Sequence, residues 1–345
     1  MKKSLVFCFV VAVVFGITVS AFANGGKEEG ENGVKPRELK LAISMPKTHH
    51  YYLTAAKFAD LVKEKTNGMV TVKIYPNALL GNGKSQVEGV RLGKIDFTIQ
   101  YTGYMSQFIP DTEIFGMEYA FDTWDQYYEF CYSKYAEGWY KEVEKYGLKV
   151  LNFSPNGKYF LVSKKPIHNL GDLKGMKMRG KPGTKQSILF DKIHGTATTP
   201  VSYNELYSSL QLGVVDVVSQ NVSNVKNSSL YEVAPYIFDM PIMFAINPLY
   251  MSMKTWDSFS PKVQKIIQDS ADVACKWVQK EYPNVIEPND RKFLVDKGVQ
   301  FYTPTDSEKK EWLSKTHAIW DLYKTSYSNK APEIVDYILN DIVHK

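Results

Sequence analysis

Residues 172–221 alternate short apolar strands with helical segments, and this alternation limits the fold more than any other feature of the chain. At 176–179 two methionines alternate with a lysine and an arginine, as in a short strand with one buried face. A turn with two glycines and a proline precedes a helical segment at 184–194, and further strands are predicted at 197–201 and 214–218. Strands that alternate with helices in this way predict an open parallel sheet.

Three polar or aromatic side chains fall at the carboxyl ends of these predicted strands. They are Arg179, Tyr203 and Gln220, and the helix after the second strand begins with a capping box formed by Ser202 and Glu205. Open parallel sheets bind ligands in the crevice beyond the carboxyl ends of their strands. We therefore expect these three side chains to line a ligand site.

The first half of the chain follows the same plan. Strands are predicted at 39–45, 70–75 and 95–99, and helices at 52–65 and 85–92. This half therefore predicts a second open sheet of the same kind.

The two halves also end alike. The pattern Leu-Gly-x-x-Asp-x-x-x-Gln occurs at 92–100 and again at 212–220, 120 positions later (212−92). Two similar lobes whose crevices face each other form a clamshell. We therefore predict an α/β protein with two lobes, each an open, mostly parallel sheet flanked by helices. The alternative is a single large α/β domain in which the repeat arose by chance.

The remaining segments connect the lobes or cover them. An aromatic-rich helical region is predicted at 122–145, and strands at 148–153, 159–163 and 246–251 would cross between the lobes. A serine and a proline at 260–261 begin a long helix with one apolar stripe, which we expect to form a spine along the back of the molecule. The expected division is 38–150 for lobe I, 151–250 for lobe II, and 251–345 for the spine helix and the amphipathic C-terminal helices that pack across both lobes.

The N-terminal residues predict export. A basic pair, an apolar run at 5–19 and the small-residue sequence Ala-Phe-Ala at 21–23 have the order of a cleavable signal peptide, so 1–23 is expected to be removed and the mature protein to be periplasmic. Residues 24–37 are polar and glycine-rich, which predicts a disordered leader. No later run reaches about 18 consecutive apolar residues, so no transmembrane helix is expected.

Composition excludes some classes of partner. Cleavage after residue 23 leaves 322 of 345 residues, enough for about two domains. Without Lys2 and Lys3, 40 basic residues stand against 37 acidic ones, too small an excess to indicate nucleic acid or an anionic membrane. Cys131 and Cys275 each lie in an apolar helical pattern. We expect two buried thiols, with a disulfide between them as the alternative.

No motif in the sequence predicts catalysis or a metal site. The sequence Gly-Lys-Ser at 83–85 resembles the end of a phosphate-binding loop, but that motif needs glycine at position 78, which is Ala78. His49 and His50 are adjacent in a loop, which is poor geometry for a metal. We therefore expect no catalytic residues, no metal and no cofactor.

Several motifs resemble those of the DctP-type solute-binding proteins of TRAP (tripartite ATP-independent periplasmic) transporters. The resemblance covers essentially the whole mature chain, and it implies a clamshell of the class II periplasmic binding protein kind. Such a protein closes on a small organic acid and delivers it to the membrane subunits of a TRAP permease. The motifs are Leu-Lys-Gly-Met-Lys-Met-Arg at 173–179, Pro-Val-x-x-x-Glu-Leu-Tyr at 200–207, Leu-Gly-Val-Val-Asp at 212–216, and N-terminal matches at 56–62, 66–68, 76–81 and 92–96.

The resemblance also implies roles for individual residues. Arg179 matches the arginine that pairs with the ligand carboxylate, and Tyr203 falls where an aromatic ring often lies against the ligand. Gln220 occupies the place of an asparagine that binds the carboxylate in many members. The resemblance therefore implies that Arg179 and Gln220 hold the acid group of the ligand and that the Tyr203 ring lies against it.

Three positions depart from the pattern of the sialic-acid-binding members. This chain has Tyr159, Tyr101 and Ser44 where those members have arginine, glutamate and asparagine, so sialic acid is not expected as the ligand. A second cationic site is not evident, which favours a monocarboxylate such as a sugar acid or a keto or hydroxy acid. The alternatives are a C4-dicarboxylate, an aromatic or hydrophobic carboxylate, or a periplasmic enzyme that uses the cleft.

The candidate ligand-binding residues come from both halves of the chain. No heptad seam or surplus apolar stripe predicts self-association, so we expect a monomer whose partners are the organic acid and the permease. The full set of candidates is Arg179, Tyr203, Gln220, Tyr101, Gln100, Tyr159, Ser44, Asn221 and His50.

Overall fold

Nine strands form one continuous sheet in the part of the protein that the computed structural model describes, residues 36–181 and 184–344. Most of the strands are short, but two of them span 16 and 17 residues. The strands are β1 (Arg37–Ala42), β2 (Val70–Tyr75), β3 (Phe97–Ile99), β4 (Leu148–Ser163), β5 (Lys177–Gly180), β6 (Ala197–Pro200), β7 (Val217–Gln220), β8 (Tyr236–Ser252) and β9 (Gln300–Tyr302).

The sheet has two halves, which β4 and β8 connect. Across the sheet the order is β2-β1-β3-β8-β4-β7-β5-β6, and β9 pairs with the first residues of β8. Strands β1, β2 and β3 are parallel, as are β5, β6 and β7, whereas β4 and β8 are antiparallel to each other. We call the half with β1 to β3 lobe I and the half with β5 to β7 and β9 lobe II. The predicted two-lobed α/β fold is confirmed.

Helices cover the sheet, and α2, α5 and α6 in particular connect successive parallel strands. Within the described residues they are α1 (His50–Lys65), α2 (Gly83–Arg91), α3 (Trp124–Cys131), α4 (Lys134–Glu142), α5 (Gln186–His194), α6 (Leu206–Gln211), α7 (Val222–Asn227), α8 (Met253–Asp257), α9 (Pro261–Glu281), α10 (Glu287–Asp296), α11 (Asp306–Thr316), α12 (Ile319–Ser326) and α13 (Ala331–Asp336).

The long strand β4 corrects the prediction of two separate strands at 148–153 and 159–163. Its pairing with β8 continues across the lobes, with register shifts between Val150 and Asn152, Pro155 and Gly157, and Tyr159 and Leu161. Gly157 has φ +131°, and a Cβ atom there would lie 2.6 Å from Asn221 Cβ and from the Tyr282 hydroxyl. The chain therefore bulges at Gly157 and continues its pairing instead of ending the strand.

The sequence repeat corresponds to one structural device that occurs in both lobes. In lobe I, Asp96 Oδ2 accepts a hydrogen bond from the Lys40 backbone N–H at 2.8 Å, and the Asp96 N–H donates to the Lys40 carbonyl. In lobe II, Asp216 and Lys177 make the same two contacts, with a carboxylate distance of 3.1 Å. Each aspartate thus fixes the start of one strand against a parallel neighbouring strand.

The predicted spine helix is present and crosses both lobes. α9 continues through a π-helical turn (Tyr282–Ile286) directly into α10. Its apolar stripe is buried at Val263, Ile267, Ala271, Ala274 and Val278, whereas Ile266 is only partly buried. α9 packs on α1 of lobe I, and α10 packs on α7 of lobe II.

Other predictions need smaller corrections. The helical region predicted at 122–145 is two helices, because Ser133 caps a new helix, α4, directly after α3 ends. Arg37, predicted as the last leader residue, already belongs to β1 and pairs with Val70. Cys131 and Cys275 are buried free thiols, so no disulfide joins them.

Some predictions fall outside the described residues. They are the signal peptide at 1–23, the leader up to residue 35, and Pro182 and Gly183 of the predicted turn after β5. Among the residues that are described, none of the helices combines the length and apolar character needed to cross a membrane.

Candidate functional site

A cavity of about 520 Å³ lies between the lobes, where the parallel strands of each lobe end. Small-molecule sites typically enclose ~300–1,000 Å³, so this cavity is large enough for a metabolite. Of the nine candidate residues, the structure brings seven together in the lining: Ser44, Gln100, Tyr101, Tyr159, Arg179, Tyr203 and Gln220.

Arg179 is the cationic residue predicted at this site. It is buried at the end of β5, and its Nε donates to the Val201 carbonyl oxygen at 3.0 Å. No carboxylate of the described residues forms a salt bridge with it. Arg179 therefore does not pair with an acid group of its own lobe within the described residues, and the guanidinium can bind an anion in the cavity.

Burial sets the electrostatics of this arginine. Loss of hydration lowers the pKa of Arg179, and the hydroxyls of Tyr104, Tyr159, Tyr203 and Tyr101 act in the opposite direction. Arginine stays protonated at any physiological pH, so the site contains a buried positive charge that a bound carboxylate would neutralise.

Besides the exposed Lys84, the lining includes a cationic residue that was not predicted, Lys181. Its Nζ lies 3.8 Å from the centroid of the Tyr101 ring and 5.0 Å from that of Tyr159. Burial and the charge of Arg179 lower the pKa of Lys181 to about 7, although Glu118 and Glu113 oppose the shift. The lining therefore includes a second buried cationic group, which was not evident from the sequence.

Tyrosine rings form much of the remaining surface. Tyr101 donates its hydroxyl to Gln186 Oε1 at 2.9 Å, and the hydroxyls of Tyr203 and Ser228 are 2.5 Å apart. Tyr104 and Tyr159 complete this aromatic group. Burial raises the pKa of each of these tyrosines, so their hydroxyls are neutral and can donate or accept hydrogen bonds.

On the lobe I side, an amide network places Gln100. Gln100 Nε2 donates to Ser44 Oγ at 2.9 Å and to Gln86 Oε1 at 2.7 Å. Gly83, which begins α2, packs closely on this network, since a Cβ there would lie 2.7 Å from Gln100 Oε1 and from the Tyr104 ring. The same segment, residues 82–85, lines the cavity.

On the lobe II side, Gln220 is oriented by Asn224, another lining residue that was not predicted. Asn224 Nδ2 donates to Gln220 Oε1 at 2.8 Å, and Asn224 Oδ1 lies 3.2 Å from Nε2 of His49 in lobe I. Because the Gln220 oxygen is engaged, its NH₂ group remains available as a donor toward the cavity.

Two predicted residues, Asn221 and His50, do not line the cavity. Asn221 is fully buried behind it, where its Nδ2 donates to the Asn156 carbonyl oxygen at 2.7 Å and its Oδ1 caps α7. The ring of His50 faces the bulge of β4, with Nε2 2.9 Å from the Pro155 carbonyl oxygen. Both side chains hold the connection between the lobes and do not face the ligand space.

The two connecting strands contribute a pair of amides that the sequence did not reveal. Asn156 of β4 donates to Asn247 Oδ1 of β8 at 3.0 Å, and both residues line the cavity. The sequence did not reveal this pair because the segment around Asn156 predicted a loop. In the structure it belongs to β4, which pairs with β8 and lines the cavity.

The arrangement is suited to binding an oxygen-rich anion. It offers a buried arginine, a lysine, amide donors from both lobes and tyrosine faces, which are the groups that bind carboxylates and hydroxyls. No group of His, Cys, Asp and Glu side chains among the described residues could hold a metal ion. Burial lowers the pKa of His49, the histidine nearest to Asn224, to about 3, so this histidine is neutral at physiological pH.

Comparisons with known proteins agree with this geometry. The family profile of bacterial extracellular solute-binding protein, family 7 (DctP) matches residues 41–326. The sialic acid-binding periplasmic protein SiaP of Vibrio cholerae is 26% identical over 289 residues, which cover 82% of this chain and 86% of the relative.

Solved structures of TRAP periplasmic solute binding proteins share the fold. The protein from Sulfitobacter sp. NAS-14.1 with bound β-D-galacturonate has a TM-score of 0.82 at 23% identity, covering 88% of this chain and 100% of that chain. The protein from Haemophilus influenzae with bound L-gulonate also has a TM-score of 0.82 at 23% identity, covering 87% and 98%. Since the family match spans most of the sequence and the fold agrees, this chain belongs to the DctP family of TRAP-type solute-binding proteins.

Proposed function

We propose that the protein is the periplasmic receptor of a TRAP transporter, which captures a small organic acid by its carboxylate and delivers it to a membrane permease. The observation that carries this proposal is Arg179, a buried arginine at the cavity wall with no salt-bridge partner among the described residues. A carboxylate that enters a closed cleft loses its hydration, and the planar guanidinium can replace it with two parallel charge-assisted hydrogen bonds.

The rest of the lining supports a ligand rich in hydroxyls or carbonyls. Gln100 and Ser44 present polar groups from lobe I, and Gln220 and Tyr203 present them from lobe II. A ligand that contacts both sides stabilises the closed arrangement of the lobes, as in other hinged binding proteins. Relatives of this chain bind galacturonate and gulonate, so sugar acids are the first ligands to test.

The location and assembly of the receptor follow from the same proposal. The N-terminal sequence has the order of a signal peptide, which supports export to the periplasm. A receptor that docks on a permease in its closed form needs no second copy, and we propose that it works as a monomer. A concentration-independent dimer in sedimentation would contradict that part.

Calorimetry of Arg179 variants tests the carboxylate role. Arg179→Ala should nearly abolish binding of D-galacturonate or L-gulonate. Losing one partner of a buried charged pair typically costs ~2–5 kcal/mol, or roughly 30- to several-thousand-fold in affinity. Arg179→Lys should weaken binding substantially, because lysine keeps the charge but loses the two-pronged geometry.

A matched control separates binding from stability. Arg291 pairs with Asp239 in lobe II, outside the cavity, so Arg291→Ala should leave affinity unchanged. The melting temperature of the unliganded Arg179 variants should stay close to that of the wild type. Unchanged affinity in Arg179→Ala together with a lowered melting temperature would show that Arg179 is structural. Mass spectrometry of small molecules released from the purified, denatured protein would identify the natural acid.

A further inference from the structure

Lys181 has a buried amine that the proposed function does not use. Its Nζ is inaccessible to solvent and has no hydrogen-bond partner within the described part of the chain. It rests against the ring faces of Tyr101 in lobe I and Tyr159 in β4. Aromatic faces replace only part of the hydration that a buried ammonium loses, so an acceptor supplied by a ligand would stabilise it.

The carboxylates nearest to Lys181 are already engaged by other groups. Glu118 accepts a hydrogen bond from the Tyr323 hydroxyl at 2.6 Å, and burial raises the pKa of Glu118 to about 8, so it is largely protonated at pH 7. Glu113 accepts from the backbone N–H groups of Lys185 and Gln186 at the start of α5. Neither forms a salt bridge with Lys181 among the described residues.

Arg179 and Lys181 can therefore both interact with a ligand in the same cavity. They are two residues apart at the end of β5 and line the same cavity. The Glu88 carboxylate in this lining is occupied by Arg91, with a separation of 2.6 Å. Of the three cationic side chains in the lining, Lys84 is exposed, whereas Arg179 and the Lys181 amine are buried. No acid group of the described residues forms a salt bridge with either of these two.

We propose that Lys181 is a second anion-binding residue of this cavity, and that the protein prefers acids with two anionic groups, one paired with Arg179 and the other with Lys181. This inference rests on the proposed function, because it takes the Arg179 contact as the first anchor. The volume of about 520 Å³ exceeds what a four-carbon acid needs, so a six-carbon diacid fits the space better. On binding, the flexible lysine side chain turns from the Tyr101 ring toward the second acid group.

Pairing of Lys181 with a second anionic group should cause proton uptake when the ligand binds. Lys181 is partly deprotonated near pH 7, since burial and Arg179 lower its pKa to about 7 while Glu118 and Glu113 oppose them. A second anion beside the amine favours the charged form and raises that pKa. Binding of a diacid should therefore take up a fraction of a proton at pH 7, and its affinity should fall as the pH rises above 7.

A matched pair of probes tests the proposal. L-gulonate and D-glucarate share a six-carbon hydroxylated chain and differ only in one terminal group, a hydroxymethyl in the first and a carboxylate in the second. By calorimetry the wild type should bind D-glucarate at least about 10-fold more tightly, as expected of one charge-assisted hydrogen-bonded pair. Titrations in buffers of different ionisation enthalpy should show proton uptake with D-glucarate.

Variants test whether the Lys181 amine causes the preference for D-glucarate. Lys181→Met keeps a long side chain without the amine, and it should reduce the D-glucarate preference and the proton uptake together. Lys192→Met, at an exposed lysine on α5, is the control and should keep both. A wild type without preference for D-glucarate, or a Lys181→Met variant that retains it, overturns the inference. If Arg179→Ala still abolishes binding of L-gulonate in that case, the proposed function stands and only the second anion site fails.

Discussion

His49 Nε2 lies 3.2 Å from Asn224 Oδ1, a hydrogen bond that joins the loop before α1 in lobe I to α7 in lobe II. His49 Nδ1 accepts from the Tyr51 backbone N–H, so Nε2 carries the proton and donates to Asn224. A second contact runs beside it, from the Thr48 hydroxyl to Asn227 Oδ1 at 2.7 Å. The two bonds form a latch between the lobes, and Asn224 also holds Gln220 in the cavity.

The latch predicts that two variants weaken ligand binding to different degrees. Thr48→Ala removes one bond of the latch, and we expect an affinity loss of about 3- to 10-fold, as for one hydrogen bond of ~1 kcal/mol. Asn224→Ala removes the other bond and also releases Gln220, so its loss should be larger. Calorimetry measures both. Wild-type affinity in Thr48→Ala would show that the bond between Thr48 and Asn227 does not contribute to ligand binding.

Closure itself can be measured by small-angle scattering. Strands β4 and β8 connect the lobes, so ligand should draw the lobes together and reduce the radius of gyration. The Thr48→Ala variant should show a smaller change than the wild type at the same ligand concentration. An unchanged radius in saturated wild-type protein would contradict closure.

The sequence predicted the two lobes because the features that define them are local. Strand periodicity, helix caps and the repeated aspartates are visible in a short window, and the aspartates make the same contacts with Lys40 and Lys177. The connecting strand β4 was predicted in two pieces because Pro155 and Gly157 favour a turn. Pairing with the distant strand β8 overrides that local preference, and no single window contains both strands.

The site was predicted only in part, for a similar reason. Arg179 was found because it ends a strand, but Lys181, in a sequence typical of a turn, offered no sign of burial. Its location depends on Tyr101 and Tyr159, which approach from other parts of the chain. Conversely, Asn221 directly follows β7, yet it faces Asn156 behind the cavity.

The raised pKa of Glu118 is expected to make the stability of the protein depend on pH. Burial raises the pKa of Glu118 from 4.5 to about 8, so the folded protein keeps a proton that the unfolded chain loses above pH 4.5. The stabilisation that comes from proton binding by Glu118 is therefore fully present below pH 4.5 and is lost as the pH rises toward 8. Glu118→Gln retains an acceptor for Tyr323 without the proton linkage.

Urea unfolding at pH 5 and pH 7 measures this effect. In the wild type, Glu118 should lower the free energy of unfolding by about 2 kcal/mol between these two values. The Gln variant should lack this part of the decline, since all other groups are common to both proteins. The range below pH 7 avoids Lys181, whose lowered pKa acts in the opposite direction above that value. Parallel pH profiles of the two proteins would contradict the prediction.

Replacing either aspartate of the repeat, Asp96 or Asp216, is expected to lower the stability of the protein. Asp216→Ala should lower the free energy of unfolding by about 1–2 kcal/mol, because the Lys177 N–H loses its acceptor. Asp96→Ala should cost more, since Asp96 also accepts from the Thr255 hydroxyl at 2.7 Å. Chemical unfolding measures both, and an Asn variant at each position should recover part of the loss. Equal effects of the two alanine variants would mean that the Thr255 contact contributes nothing.

Adding a single methyl group at the Gly157 bulge is expected to lower the stability of the protein strongly. Gly157→Ala must adopt φ +131° and place its Cβ 2.6 Å from Asn221 Cβ and the Tyr282 hydroxyl. The backbone strain and the steric clash together should lower the free energy of unfolding by about 2–4 kcal/mol. Because Asn221 and Tyr282 are fully buried, neither can move away without disturbing the junction of the lobes.

A second glycine provides a comparison without a steric contact. Gly298 also has a positive φ, +85°, but a Cβ there would have no atom within 4 Å. Gly298→Ala should therefore cost only the backbone strain, about 1–2 kcal/mol. Thermal or urea unfolding of the two variants gives the difference, which combines the crowding at the bulge with the different backbone strain at φ +131°. If Gly157→Ala is no less stable than Gly298→Ala, the close packing of β4 against Asn221 and Tyr282 does not constrain this position.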